Sequence, residues 1–271
     1  MTWLIIVVVF VALALGYFAN TRWLARPAAA KDETGLGISD LVEPMTTLAV
    51  VLLAFILAEG LSSYGRAREQ ASEEARVLDA AAESAARVKD LRVGQDLQGD
   101  YICYGRAVVK QEWPAMGHGD RAPGVGVWTN RVETVITELE NTGEEETDRL
   151  IDADNARGDV RLRRLSESKP TIPNGLKGLM LVAVLISVFS LAFFMQPKAG
   201  EKGVHLAVLI VITALLAMTL YTVNDLDTPF AKGLNTIQPT EMRDRVKRLE
   251  DDFAKAYPGA TVPCEADGRP I

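Results

Sequence analysis

Two cysteines and two histidines are all that this chain of 271 residues contains. So few cysteines exclude a disulfide-rich scaffold, and no Cys-x-x-Cys is present to hold a zinc ion. Neither histidine has a neighbour that points to catalysis or metal binding, since His118 lies in a glycine-flanked loop and His205 at a helix start. Also missing are the glycine-rich phosphate loop, the Gly-x-Ser-x-Gly nucleophile elbow and the zinc-binding His-Glu-x-x-His. With no nucleophile and base pair and no cofactor motif, an enzyme is not expected. A net charge of -7 offers no overall basic surface, which sets nucleic acid aside. Strand-like alternation and internal repeats are absent as well.

What is present is segregation. The chain is 48% hydrophobic with a mean hydropathy of +0.10, yet it carries 29 Lys and Arg and 36 Asp and Glu. The charges must therefore sit in separate blocks. A helix needs about 18 or more uncharged residues to cross roughly 30 Å of hydrocarbon, and several runs qualify. The first goes from Thr2 to Thr21 and ends at Arg22, Trp23 and Arg26, residues suited to a headgroup boundary. A cleavable secretory signal is the competing reading, with Pro27-Ala28-Ala29-Ala30 as the cleavage region, but the run is long and no cation precedes it. The second, Pro44 to Ala58, is short and closed by Glu59, which needs an interface or a wet interior. The third, Gly178 to Pro197, is flanked by Lys177 and Lys198, and the fourth, Gly203 to Asn224, stops at Asp225 and Asp227. The expected division is transmembrane segments at 1–26, 42–62, 176–197 and 203–224, a helical extramembrane region at 63–175 and an amphipathic tail at 225–271.

An even number of spans puts both termini and the long insertion on one face of the membrane. The tail carries Lys232, Arg243, Arg245, Lys247, Arg248, Lys255 and Arg269, against Arg22, Arg26, Lys31, Lys198 and Lys202 on the other face. Positive-inside bias then makes the termini cytoplasmic, although the cations that follow the first span locally favour the reverse. Cys103 and Cys264 share a face in either orientation, and a reducing cytoplasm predicts two free thiols.

From Arg66 to about Val93 the sequence is rich in Ala, Glu and Arg, with no proline or glycine, and predicts a helix. Ala67, Ala71, Ala75, Leu78, Ala82 and Ala86 recur three and four apart and form a narrow packing stripe. Continuity with the second span gives a helix of about 50 residues, roughly 75 Å long. Further helices are predicted at Asp96 to Gln111, Gly126 to Leu139 and Glu144 to Ser166, with breaks at Trp113-Pro114, Gly117 to Gly126 and Asn141-Thr142-Gly143. Alanine offers little apolar area, so the long helix must pack in a bundle or an oligomer. Asp225 and Asp227 read as solvated turn residues, and no metal site is assigned. Glu144-Glu145-Glu146 suits the negative first turn of a helix, and Arg161, Arg163 and Arg164 an exposed cytoplasmic face. Trp113 is expected to pack inside the bundle.

Two stretches carry a likeness: Leu53-Ala54-Phe55-Ile56-Leu57 through Tyr64-Gly65-Arg66 to Glu74-Ala75-Arg76, and Asp225-Leu226-Asp227-Thr228-Pro229-Phe230-Ala231-Lys232. They resemble the bestrophin family, in which a pore helix of small and aliphatic residues runs into a Tyr-x-Arg and a Glu-Ala-Arg, and Pro-Phe-Gly follows the last span. The chain is similar above all to the bestrophin-like group of bacterial integral membrane proteins, with Glu112-Trp113-Pro114 and the stretch Arg157 to Leu165 as further motifs.

The resemblance implies an all-α integral membrane protein in a bacterial plasma membrane, assembled as a homopentamer, with four transmembrane helices and a long helical cytoplasmic insertion. It implies an ion channel of unknown ion, with the second span lining an axial pore and the lipid bilayer as its surroundings. The family-motif residues are Tyr64, Arg66, Glu74, Arg76, Glu112, Trp113, Pro229 and Phe230, and the pore-lining positions are Val50, Ala54, Ala58 and Glu59. An apolar ring of Val50, Ala54 and Ala58 gates by dewetting, while the same stripe serves equally as a helix-packing face. Glu59 replaces a cation common in the family. It gives an acidic, cation-favouring ring where it faces the axis, or a neutralised one where it pairs with Arg66 or Arg68. Ala231 replaces the glycine of Pro-Phe-Gly, and the acidic run of the animal calcium clasp is missing. No cofactor or metal is implied. The alternative is a non-conducting membrane scaffold or accessory subunit that binds a protein partner through its cytoplasmic helices.

Overall fold

A computed structural model of the chain describes residues 2–24, 38–142, 146–194 and 202–271. Among the described residues the architecture is helical, apart from one antiparallel bridge between Cys264 and Pro270. The helices are α1 (Thr2–Ala19), α2 (Ile38–Ala85), α3 (Leu91–Ala107), α4 (Trp113–Met116), α5 (Pro123–Thr142), α6 (Thr147–Glu167), α7 (Asn174–Phe194), α8 (Lys202–Leu226) and α9 (Thr240–Ala256). Four of them hold a stretch long and apolar enough to cross a membrane: Trp3–Arg22, Pro44–Ala85, Asn174–Phe194 and Lys202–Leu226. The protein is an all-α membrane protein. Arg26, Lys31, Lys198 and the pair Glu144-Glu145 fall outside the described residues.

The chain divides into two compact units, residues 1–62 with 171–227, and residues 63–170 with 228–271. In the first, α1 packs on α7 and α8. Val9 and Leu13 of α1 are buried with Met180, Val184 and Val188 of α7 and Leu209, Ala217 and Leu220 of α8. Leu4, Val7, Val11, Leu15 and Phe18 point outward, so α1 is apolar all round, as a lipid-facing helix must be. Gly16 allows the closest approach, because a Cβ there would lie 2.6 Å from the Phe189 carbonyl oxygen and 2.9 Å from Ala192 Cβ. Asn20 then donates from Nδ2 to the Ala192 and Phe193 carbonyl oxygens at 3.2 and 2.7 Å, which the end of α7 leaves without helical donors. Asp227 is not the solvated turn residue expected from the sequence. It is buried and accepts from the Thr171 and Ile172 amides at 2.8 Å each while pairing with Lys177, because the extended connector into α7 leaves those two amides without a helical acceptor.

The second unit is a bundle of the C-terminal part of α2 with α3 to α6 and α9. Ala67, Ala71, Ala75, Leu78 and Ala82 form the buried face of α2, against Leu97, Tyr101, Ile102, Tyr104, Trp128, Leu150 and Met242. The sequence extends this helix to about Val93, but it ends at Ala85. Asp90 starts a new helix by accepting from the Arg92 and Val93 amides at 2.9 and 3.4 Å. Trp113-Pro114 is not a break either. A π-helical turn, Val108–Glu112, leads directly into α4, where Pro114 occupies the first turn and needs no amide donor.

The expectation of two free thiols is overturned. Cys103 of α3 and Cys264 of the tail form a disulfide, with Cα atoms 5.8 Å apart across a sequence separation of 161. The tail lies along α3 and α5 closely enough to bring the two sulfurs together. Trp128 Nε1 donates to the Gly268 carbonyl at 2.7 Å, and Gly268, at φ +80, has no room for a Cβ against Ala107.

Gly16→Leu is expected to lower stability by about 1–3 kcal/mol through overpacking of α1 on α7. Thermal unfolding in detergent checks this, with Gly16→Ala giving a smaller drop.

Candidate functional site

On a helix each residue turns about 100° further round the axis. Along the membrane part of α2, Ala49, Leu53, Ile56 and Gly60 are buried and occupy an arc of about 60°. Val50, Ala54 and Ala58 are exposed and spread over about 80° of a second arc, with Leu61 among them. Leu48, Val51 and Phe55 continue the exposed surface beyond it, and Phe55 is 71% exposed. About half the circumference of this helix is thus left uncovered by its own chain, small residues on one flank and bulky ones on the other. Glu59 is exposed and lies about 100° round from Ala58, beside the bulky flank. An apolar arc this wide in a membrane segment is covered by lipid or by other subunits.

The Glu-Ala-Arg and Glu-Trp motifs converge elsewhere, inside the helical unit. Glu74 of α2, Glu112 at the end of the π-helical turn and Arg164 of α6 are each fully buried. Arg164 forks onto Glu74 and reaches Glu112 at 2.5 Å, while Arg161 grips Glu112 from the other side at 2.5 and 3.2 Å. Tyr104 donates its hydroxyl to Glu74 at 2.5 Å. Arg157 is bidentate to Asp154 at 2.8 and 3.0 Å and stacks over the Tyr104 ring at 4.6 Å. Arg164 also stacks over Trp113 at 5.2 Å. Two carboxylates facing two guanidiniums leave the Glu74, Glu112, Arg161 and Arg164 cluster neutral. Burial alone raises a carboxyl's pKa, but Arg161 and Arg164 outweigh it and hold Glu112 below the ordinary value. The Tyr104 phenol is raised, first by burial and then by the neighbouring Glu74 charge. It stays protonated as a donor.

The other motif residues are placed around this cluster. Trp113 Nε1 donates to the Ile237 carbonyl at 2.9 Å, and Phe230 packs edge-on against its ring at 5.4 Å. The Pro229 carbonyl accepts from the Ile237 amide at 2.8 Å, which closes the turn carrying Phe230. Tyr64 is partly buried and borders a recess of about 350 Å³ with Arg68, Trp113 and Gln238. Arg66 pairs with Glu167 at 3.3 Å, and Arg76 makes only a surface pair with Glu73. The expectation that Arg161, Arg163 and Arg164 share an exposed face fails for two of the three. Arg161 is mostly buried and Arg164 wholly so, because the carboxylates of α2 and the π-helical turn face them. Asp154, Arg157, Arg161 and Arg164 recur three, four and three apart, in register with buried Leu150 and Leu165. That spacing is the signal of an inward face, written in charges. Among the described residues no group of three or more His, Cys, Asp or Glu side chains is arranged to hold a metal ion.

The sequence profile of the bestrophin-like domain matches residues 7–242. No curated protein matches the chain. Among solved structures, a crystal structure of a bacterial bestrophin homologue from Klebsiella pneumoniae is similar at a TM-score of 0.71 and 11% identity, covering 94% of this chain and 100% of that one. A point variant of that homologue gives 0.72 at 10% identity, over 93% and 99% of the two chains. A solved structure described only as a point variant of a membrane protein gives 0.68 at 12% identity, over 94% and 100%. At these identities the likeness establishes the fold.

Arg164→Met strands buried Glu74 and Glu112 without their shared cation, and is expected to cost about 3–5 kcal/mol. The double variant Glu74→Met with Arg164→Met recovers much of that loss, and thermal unfolding of the four proteins measures the coupling. A second expectation concerns Asp100, which is buried with Oδ1 unpartnered and Oδ2 accepting from Arg131 at 3.1 Å. Burial outweighs the charge and hydrogen bond of Arg131 and raises its pKa to about 6. A raised carboxyl favours the protonated folded form, so its stabilisation is full below the unfolded value and is lost as pH rises through about 6. Asp100→Asn should therefore gain on wild type as pH rises from 4 to 7, with little difference between them at pH 4. Melting temperatures across that range test it.

Proposed function

Because the chain belongs to the bestrophin-like family, we propose that it is the subunit of an oligomeric ion channel whose second membrane helix lines the axial path. The observation that carries this reading is the uncovered arc of α2. A stripe of small residues, Val50, Ala54 and Ala58, stands exposed while the opposite stripe is buried in the same unit. Copies of α2 arranged about an axis cover the bulky flank of Leu48, Val51 and Phe55 with neighbouring subunits and turn the small stripe inward. Such a ring is apolar and narrow, and conducts or closes by wetting and drying. Five copies are proposed, as the family likeness implies, in a bacterial plasma membrane.

Glu59 is proposed for the wide end of this path. Its position about 100° round from Ala58 sets it past the bulky flank and off the apolar stripe, so its carboxylate reaches the path only beyond the ring, where the helices part. Tyr64, Arg66, Glu74, Arg76, Glu112, Trp113, Pro229 and Phe230 are proposed to shape and brace the helices rather than to touch ions. The cations of the tail favour cytoplasmic termini, whereas the disulfide favours an oxidising compartment.

Purified protein in liposomes should pass ions, and Ala54→Trp should cut the flux at least tenfold by filling the ring. Glu59→Gln should shift the preference away from cations while flux persists. A wild-type assembly that passes neither chloride, sodium nor potassium at any voltage or pH replaces the channel with the scaffold reading.

A further inference from the structure

A cavity of about 590 Å³ lies in the helical unit, where the turn after the fourth span meets α4 and the start of α9. Its floor is apolar, formed by buried Trp113, Phe230 and Ile237. Lys232 and Arg243 stand at its rim, both exposed, with the His118 imidazole and the Gln238 amide beside them. Among the described residues no carboxylate lines the cavity, and neither Lys232 nor Arg243 has a side-chain partner. Asp120, Glu241 and Asp244 are near in sequence but outside its walls. The ion cluster behind the Trp113 ring is itself neutral, so it leaves the two cations uncancelled.

The walls are braced by the fold. The Thr236 hydroxyl accepts from the Gly233 amide and donates to the Ala231 carbonyl, each at 2.7 Å, so the turn that bears Lys232 closes on itself. The end of that turn is pinned twice at Ile237, whose carbonyl accepts from Trp113 Nε1 and whose amide donates to the Pro229 carbonyl. At Gly117 the opposite wall comes into contact, because a Cβ there would lie 3.0 Å from the Phe230 carbonyl oxygen. A concave site of a few hundred cubic ångströms, apolar inside and with a few convergent polar groups, has the form that takes a small molecule.

Two cations over an apolar floor select an anion that carries an apolar body. Arginine offers a planar fork and lysine a point charge, and both grip phosphate oxygens. A bare inorganic anion would leave the apolar floor against water, which is unfavourable. Lys232 follows Leu226, the last residue of the fourth span, by six positions, so at most about 22 Å of chain separates them. At that boundary the bilayer itself supplies phosphates joined to apolar chains. We infer that the cavity binds the phosphate of an anionic phospholipid between Lys232 and Arg243, with the first apolar groups of the lipid over Trp113 and Phe230. A soluble phosphate ester shares the head-group chemistry but lacks the apolar body. This inference needs neither conduction nor a particular number of subunits.

Native mass spectrometry of the full chain in detergent tests it, with dioctanoyl phosphatidic acid, dioctanoyl phosphatidylcholine and glycerol phosphate titrated in turn. Phosphatidic acid is expected to bind most tightly. Lys232→Ala combined with Arg243→Ala should weaken it by about tenfold or more. The same loss of charge in Lys247→Ala combined with Lys255→Ala, at exposed positions of α9 outside the cavity, should leave binding unchanged. Ala231→Trp, which fills the cavity from its wall while both cations remain, should also weaken binding. Equal weakening by the two charge-removing pairs, or equal affinity for phosphatidylcholine and phosphatidic acid, overturns the site. Glycerol phosphate that binds as tightly as phosphatidic acid overturns a lipid as its occupant.

Discussion

The helical unit depends on one buried guanidinium. Arg164 lies at the meeting point of α6, α2 and the π-helical turn, and its two carboxylate partners come from elements far apart in sequence. Neither carboxylate tolerates burial alone, and neither can be satisfied by a residue on its own helix. The Ala-rich face of α2 supplies little apolar area to hold it in place, so the charge cluster fixes the axial position of α2 against α6. Trp113 and Tyr104 complete the arrangement by giving the guanidiniums aromatic faces to lie on.

The membrane unit follows a different rule. Among the described residues its one buried ion pair, Lys177 with Asp227, lies at the end of the spans, and α1 meets α7 through Gly16 and the carbonyls that Asn20 takes. In lipid the close approach of backbones replaces the hydrophobic drive that packs a soluble core. Helix α2 is left half covered in this unit and fully packed along its Ala stripe in the other. The first surface is left to lipid or to other subunits, whereas α3, α6 and α9 complete the second.

Much of this was legible in the amino-acid order. The four apolar runs gave the spans because length and absence of charge suffice for that inference. The Ala stripe gave the buried face of α2 because its three- and four-residue spacing is a helical repeat. Burial of charge was not legible in the same way. Arg161 and Arg164 read as surface residues because isolated cations are seldom buried, and nothing local announces that Glu112, 49 positions from Arg161, and Glu74, ninety from Arg164, face them. The burial of Asp227 is hidden for the same reason, since its partners include the backbone amides of Thr171 and Ile172. The pairing of the cysteines is not legible because a compartment predicts only their oxidation state, whereas the fold brings them together.

Stability alone does not account for an ionic core here. Replacing a buried ion pair by apolar side chains of similar volume is often neutral or favourable, whereas removing one partner is severe. An apolar substitute, however, would let a smooth Ala-rich helix slide by a turn with little loss of contact. The fork of Arg164 on Glu74 accepts one register only, because a shift of one turn leaves both groups buried and unpaired. The strap from Pro263 to Ile271 works by the same logic further along α3, where Gly268 fits against Ala107 and the Trp128 indole meets one carbonyl. Directional contacts of these two kinds specify the positions of helices whose apolar surfaces are too featureless to specify themselves.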